Sequence, residues 1–219
     1  MSYLATKARA CTNCQFPNEV EVWSIINVRE DPELKDLLLG GELNMFECTS
    51  CKNIFYAEDF ILYHDPENEL LAFVYPYDFR DEKEKYLQKT RGDFSASQSQ
   101  TGSPGPLSYS PITLFGLDEL LAVVEWDDEA KIQSDIVACI AKEKGLGLKK
   151  LHTAFSRAEK IPPLLPLKLT GGASEHDQML AALRDINSEN DHLTLYTEAL
   201  DRLSKNSSIE LQYAESGTI

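Results

Sequence analysis

The chain has 219 residues, of which 42% are hydrophobic and 26% charged, a composition typical of a soluble globular protein. Its formal net charge of −15 disfavours nucleic acid as a ligand, because nucleic-acid affinity comes largely from Lys and Arg that neutralise phosphates. No run approaches the roughly 18 apolar residues that cross a bilayer, and the N-terminus lacks the apolar core of a signal peptide. We therefore expect a cytoplasmic protein without membrane contact, in which thiols stay reduced.

The first part of the chain, residues 1–92, has the pattern of a β-rich module. Alternating β-branched and aromatic residues indicate strands, and Asp31-Pro32 before leucines at helical spacing indicates a helix with Asp31 as its N-cap. The predicted elements are strands over 20–28 and 43–47, a helix from Asp31 to Gly41, a hairpin formed by 54–63 and 70–75, and a charged helix over 81–90.

A stretch rich in serine, glycine and proline, residues 93–111, predicts a flexible linker or a long surface loop. Residues 112–219 then have the pattern of a mainly helical region, in which apolar residues keep helical spacing up to Gly145, the expected C-cap. The same spacing between Met179 and Leu203 indicates one long helix, or two helices with a break near residues 187–190. Short strands are predicted over 165–169 and 209–213.

Four cysteines form two matched pairs, Cys11-Thr12-Asn13-Cys14 and Cys48-Thr49-Ser50-Cys51. Each Cys-x-x-Cys turn lets two sulfurs converge on one cation, so the two turns supply the four thiolates that tetrahedral zinc prefers. The interval between the pairs exceeds the roughly 15–20 residues of a usual ribbon, as expected if a strand and a short helix lie within it. Four sulfurs leave no open position for water, so the predicted zinc at Cys11, Cys14, Cys48 and Cys51 is structural.

Two other uses of the cysteines remain open at this point. Iron in a rubredoxin-like site requires the same four thiolates, although such a protein is expected to be smaller. Redox dithiols or two unrelated thiol pairs are the second alternative. A redox Cys-x-x-Cys is expected before a helix, whereas each pair here stands beside a predicted strand.

Four segments accompany the cysteine pairs in a fixed order: Val22-Trp23-Ser24-Ile25-Ile26-Asn27, Asp31-Pro32-Glu33-Leu34-Lys35, Gly41-Glu42-Leu43-Asn44 and Leu62-Tyr63-His64-Asp65. Together they resemble the CpXC-domain proteins of bacteria and archaea over residues 8–78, and less closely over 112–150. Threonine replaces the family's proline after the first cysteine of a pair. The resemblance implies a zinc-ribbon-like module and no particular activity. The predicted fold class is α+β, a zinc-ribbon-like β-rich N-terminal module followed by a mostly helical region with a few strands.

His64-Asp65 is the pair that most resembles catalytic residues. Adjacent strand residues point to opposite faces, so we expect Asp65 to cap a turn and His64 to be a partly buried or surface residue. The alternative is an enzyme with a site between the two halves, in which His64 works with Asp65 or Asp59. Cys139 stands among apolar residues and is predicted to be buried.

The favoured hypothesis is a non-enzymatic interaction protein whose structural zinc stabilises the fold, with no catalytic residue and no organic cofactor assigned. Its acidity suits a basic protein partner, and it disfavours the third hypothesis, a nucleic-acid-binding zinc ribbon. Aromatic residues dominate interface energies. The candidate binding face therefore comprises aromatic residues, of which about half are expected in the core: Trp23, Phe55, Tyr56, Phe60 and Tyr63.

Overall fold

The computed structural model of the chain describes residues 1–98, 107–169, 173–206 and 209–214. The chain divides into two compact units, Met1–Val124 and Glu125–Ile219. As predicted, the fold is α+β, with a strand-rich sheet first and helices with a few strands after it. Within the described ranges, no helix combines the length and the apolar character needed to cross a membrane.

The first unit is built on a five-stranded sheet of order β1-β2-β5-β6-β7, and β3 and β4 form a separate two-stranded ribbon. Strands β2 and β5 are parallel, as are β6 and β7, and the other pairs are antiparallel. The elements are β1 (Tyr3–Ala10), β2 (Pro17–Asn27), α1 (Glu33–Leu39), β3 (Met45–Glu47), β4 (Ile54–Tyr56), β5 (Ile61–Asp65), β6 (Leu70–Tyr75), a 3₁₀ helix (Tyr77–Glu82), α2 (Lys83–Gln98), β7 (Ile112–Phe115) and the first turns of α3 (Leu117–Lys144).

Helices cover both faces of this sheet. On one face, Ile26 and Tyr63 belong to a buried cluster with Leu34 of α1 and Leu120 of α3. On the other face, residues of β6 and β7 pack against aromatic side chains of α2. Every residue of β6 is buried, as its continuous apolar sequence requires of a strand covered on both sides.

Two sequence predictions for this unit were wrong in detail, and one strand was missed. The run 54–63 is not one strand, because β4 pairs with β3 in the ribbon whereas β5 joins the main sheet. Asp31 does not cap α1, since its carboxylate accepts a hydrogen bond of 3.1 Å from the Ser2 amide. Strand β1 was not predicted because an edge strand with mostly exposed residues carries no apolar stripe.

The predicted linker over 93–111 is partly helical. Helix α2 continues through Gln98, so residues 93–98 are not a linker, and residues 99–106 lie outside the described residues. Strand β7 follows at Ile112 and joins the sheet of the first unit. The division between the two units therefore falls within α3 rather than at the Ser-, Gly- and Pro-rich stretch.

The second unit contains the rest of α3 and a small antiparallel ribbon of β8 and β9 with three further helices among the described residues. Gly145 follows α3 with a φ of 65°, which confirms the predicted C-cap. The segment between Met179 and Leu203, for which the sequence allowed one long helix or two, forms two helices. The elements are β8 (Gly147–Lys150), α4 (Thr153–Glu159), β9 (Leu164–Leu167), α5 (Glu175–Asn187) and α6 (Thr194–Lys205). The predicted strand at 209–213 is only a single bridge between Leu151 and Tyr213.

The buried face of α3 in this unit carries polar residues. Gln133 and Ser134 are buried and hydrogen-bond to α6, with Leu195 N donating to Gln133 Oε1 at 3.0 Å and Tyr196 Oη donating to Ser134 Oγ at 3.1 Å. Ile136 is consequently 41% exposed. Cys139 is exposed as well, so the prediction that it is buried was wrong.

Candidate metal centre

The first cysteine pair closes the β1–β2 hairpin. Cys11 follows β1 and Cys14 precedes β2. The Cys11 amide donates to the Phe16 carbonyl at 2.9 Å, and the Gln15 amide donates to the Cys11 carbonyl at 2.9 Å. Gln15 adopts a φ of 61°, which allows the chain to reverse while both sulfurs stay on one side.

The second pair closes the β3–β4 ribbon with the same geometry. The Cys48 amide donates to the Asn53 carbonyl at 2.9 Å, and the Lys52 amide donates to the Cys48 carbonyl at 3.0 Å. Lys52, at the position equivalent to Gln15, has a φ of 64°. The two turns are therefore matched knuckles on separate hairpins.

The two knuckles face each other and bring four sulfurs together. The distance from Cys11 Sγ to Cys51 Sγ is 3.7 Å, and that from Cys14 Sγ to Cys48 Sγ is 3.6 Å. All four sulfurs lie within 4.8 Å of one another, and none forms a disulfide. A tetrahedral zinc with Zn–S bonds of about 2.3 Å requires sulfurs roughly 3.8 Å apart. The four-cysteine cluster could therefore hold a metal ion.

Backbone amides of the knuckles point at the sulfurs. The amide of Cys51, with that of Ser50, lowers the pKa of Cys48 to about 6 despite its burial. The amide of Asn53 likewise lowers the pKa of Cys51. The amide of Phe16 lowers the pKa of Cys14, but the neighbouring sulfurs and desolvation together outweigh it and raise this pKa to about 12. Thiolate-stabilising amides favour metal binding, which displaces thiol protons.

Asn18 connects the two knuckles and was missed by the sequence analysis. Its side chain is buried, and its Nδ2 donates to Cys48 Sγ at 3.5 Å and to the Phe16 carbonyl at 2.9 Å. Its Oδ1 accepts hydrogen bonds of 2.9 Å from both the amide and the hydroxyl of Thr49. Asparagine is depleted in strands, so an Asn within the first residues of β2 is the signal that points to such a role.

A second buried asparagine, Asn44, fixes the ribbon to the main sheet. Its Oδ1 accepts a hydrogen bond of 2.8 Å from the Trp23 amide, and its Nδ2 donates to the Trp23 carbonyl at 3.1 Å. The backbone of Asn44 has a φ of 54°, and its carbonyl accepts a hydrogen bond of 2.9 Å from the Ala57 amide. The Asn44 side chain therefore satisfies the two backbone groups of Trp23 in β2 that a neighbouring strand would otherwise pair with.

The residues of the catalytic alternative have separate partners. His64 Nε2 lies 2.7 Å from the hydroxyl of Tyr109, and burial lowers the pKa of His64. Asp65 accepts from the amides of the turn that follows it, at 3.2 and 3.3 Å, which confirms its predicted capping role. Asp59 is paired with Lys7 and with Arg9.

The five aromatic residues proposed for a binding face divide by burial. Phe55 and Tyr63 are buried in the core. Trp23 and Phe60 are half-buried and pack against the apolar clusters on the two faces of the sheet. Tyr56, on β4 of the ribbon, is 47% exposed and is the most exposed of the five.

Comparison with known protein families matches residues 10–132 to the family described as CpXC protein. Searches of curated proteins and of solved structures give no match to the chain. The matched segment spans more than half of the 219 residues and contains both knuckles, Asn18 and Asn44. This confirms the resemblance found from the cysteine pairs and the segments around them. The chain belongs to the CpXC protein family.

Proposed function

We propose that Cys11, Cys14, Cys48 and Cys51 hold one zinc ion in a closed structural site. The observation that carries this proposal is the convergence of four sulfurs, within 4.8 Å of one another, from the tips of two separate hairpins. Zinc has no redox chemistry and prefers four tetrahedral ligands. With all four positions taken by sulfur, the ion stabilises the fold and activates no water.

The lengths of the strands support a stabilising role for the metal. Strands β3 and β4 have three residues each, and a two-stranded hairpin of this size has little stability of its own. Asn18 and Asn44 connect the ribbon to β2, but neither contributes much apolar contact. Phe55 of the ribbon also packs against Val20 and Val22 of β2 in a small buried cluster. A metal shared between the knuckles adds a cross-link to these contacts, because its binding free energy becomes folding free energy.

The function that we propose for the whole module is protein interaction without catalysis, in the reducing cytoplasm. The zinc holds the β3–β4 ribbon rigid, and the ribbon presents the exposed ring of Tyr56. The net charge of −15 favours a basic protein partner over a nucleic acid. A rigid surface loses little conformational freedom on binding, which favours affinity.

Metal analysis of the purified chain tests the proposal. We expect one zinc per chain in the wild type and in Cys139→Ser, and less than stoichiometric zinc in Cys48→Ser. Cys139 is the matched control because it is exposed and lies outside the cluster. Stoichiometric iron, or a metal-free protein in which all five cysteines react with a thiol reagent, would contradict the assignment.

A further inference from the structure

A cavity of about 530 Å³ lies in the first unit beside the β3–β4 ribbon. This volume is within the range of about 300–1,000 Å³ that is usual for ligand sites. The cavity has an apolar floor that includes Leu38, Leu43 and Leu121, and a polar rim. Neither the cysteine cluster nor the His64 region contributes to it. The rim residues come from the ribbon, the 3₁₀ helix and the start of α3, and they are Tyr56, Glu58, Tyr77, Arg80, Asp118 and Glu119.

Hydrogen bonds within the chain hold the rim in place. The Tyr56 hydroxyl donates to the Gly41 carbonyl at 2.8 Å, which orients the ring. The Tyr77 amide donates to Glu58 Oε2 at 3.1 Å, which positions that carboxylate. Gly116 has a φ of 83°, and a Cβ there would lie 3.5 Å from Tyr77. The cavity is thus formed before any ligand arrives.

The charges of the rim favour a cation. Three carboxylates, those of Glu58, Asp118 and Glu119, face one guanidinium, that of Arg80. Glu119 is engaged, with its Oε1 3.6 Å from Arg80 and its Oε2 accepting from the Phe115 amide at 2.9 Å. Glu58 and Asp118 are exposed and present the remaining negative charge to a ligand.

The aromatic walls suit the same kind of ligand. Tyr56 is 47% exposed and Tyr77 is 53% exposed, which is high for large aromatic side chains. The guanidinium carbon of Arg80 lies 5.6 Å from the centroid of the Tyr77 ring. This contact is a favourable cation–π arrangement within the chain, and it shows that the Tyr77 ring accommodates a guanidinium.

We infer that this cavity binds an arginine or lysine side chain, with an adjacent apolar residue, from a basic segment of a protein partner. The cationic head lies between Glu58 and Asp118, the side-chain stem lies on Tyr77, and the apolar neighbour contacts the leucine floor. The inference rests on the proposed interaction function and names the chemistry of the partner. The charge of the rim and the acidity of the chain have the same sign, so both attract this partner.

The test measures fluorescence anisotropy of two dye-labelled hexapeptides, one alternating arginine with leucine and one alternating glutamate with leucine. The full chain is used, and its metal content is measured on the same samples. We expect saturable binding of the arginine peptide alone. Asp118→Asn, Glu58→Gln and Tyr77→Ala should each weaken it about three- to tenfold, as for single charged or aromatic contacts of a modest interface.

Two matched variants separate the cavity from the general acidity of the surface. Asp36→Asn removes an exposed aspartate in the first turn of α1, and Glu21→Gln removes an exposed glutamate on β2. Neither residue lines the cavity, so both variants should bind the arginine peptide as the wild type does. Equal weakening in these controls and in the cavity variants would overturn the inference.

Two further outcomes also overturn it. One is no binding of the arginine peptide to fully metal-loaded protein, a result that leaves the zinc proposal intact. The other is competition by free arginine amide at the same concentration as the peptide, which makes a small cation the occupant. Conversely, cavity-specific binding by protein that folds and purifies without any metal would support this inference and overturn the zinc proposal alone.

Discussion

The side chain of Asn18 donates a hydrogen bond of 3.5 Å to the sulfur of Cys48, although the two residues belong to different hairpins. Asn18 is the second residue of β2, just after the first knuckle, and Cys48 is the first cysteine of the second knuckle. The amide therefore crosses between the two halves of the candidate metal centre. Outer hydrogen bonds of this kind orient ligands and tune the metal.

Replacing Asn18 by alanine should weaken zinc binding about 10- to 100-fold, the usual loss when a partner of a metal ligand is removed. The measurement is competition with a chromophoric chelator. Asn13→Ala is the control, because Asn13 is exposed and its Nδ2 lies 3.7 Å from Cys51 Sγ. Equal losses in the two variants would show that the buried position of Asn18 has no special role.

Loss of the Asn44 side chain should destabilise the first unit by about 1–3 kcal/mol, because both backbone groups of Trp23 lose their partner. Asn44→Gly is the informative variant, since glycine tolerates the φ of 54° and so isolates the hydrogen bonds from backbone strain. The free energy of unfolding is measured in denaturant. Asn53→Ala, at an exposed site, should change it by less than about 0.5 kcal/mol. An unchanged Asn44→Gly protein would contradict the role.

Removal of the metal by a chelator should loosen the two knuckles and the β3–β4 ribbon. Amide hydrogen exchange is expected to rise in residues 45–56, where the strands are short. Helices α5 and α6 belong to the other unit and serve as the internal control, with unchanged exchange. Slow exchange of the Cys48 and Lys52 amides after chelation would mean that the ribbon is stable without the metal.

Arg157→Met should destabilise the second unit by about 3–5 kcal/mol, because it removes the guanidinium that donates hydrogen bonds to the buried carboxylate of Asp127. Arg157 Nε and Nη2 donate to that carboxylate at 2.9 and 2.8 Å, and the two side chains are 8% and 5% exposed. The double variant Asp127→Leu with Arg157→Met should recover much of the loss. Lys205→Met removes an exposed pair with Asp201 and should cost less than about 1 kcal/mol.

The stability of the first unit should fall as the pH drops below the unfolded-state pKa of histidine, about 6.5. Burial lowers the pKa of folded His64, with Asp65 opposing and Arg29 adding to the effect. The unfolded chain therefore binds more protons in this window, and stability present above pH 6.5 is lost as the pH falls through the folded pKa. Unfolding of His64→Gln should depend less on pH, whereas His192→Gln, at a fully exposed site, should behave as wild type.

Spacing along the chain was sufficient to predict the cysteine quartet. Each pair is a local turn that places two sulfurs close together, and the structure brings the sulfurs of both turns within 4.8 Å of one another. Local chemistry also predicted the turn at Asp65 and the end of α3 at Gly145, since neighbouring backbone groups satisfy both. The broad α+β fold followed from the periodicity of apolar residues in long segments.

Features that depend on contacts between distant segments could not be derived this way. The exposure of Ile136 and Cys139 arises because Gln133 and Ser134 find hydrogen-bond partners on α6 and turn that face of α3 inward. The role of Asn18 and the cavity rim could not be predicted for the same reason, because the residues that they contact are distant in sequence. A periodic pattern records which residues are apolar, whereas burial depends on which groups meet and whether their hydrogen bonds are satisfied.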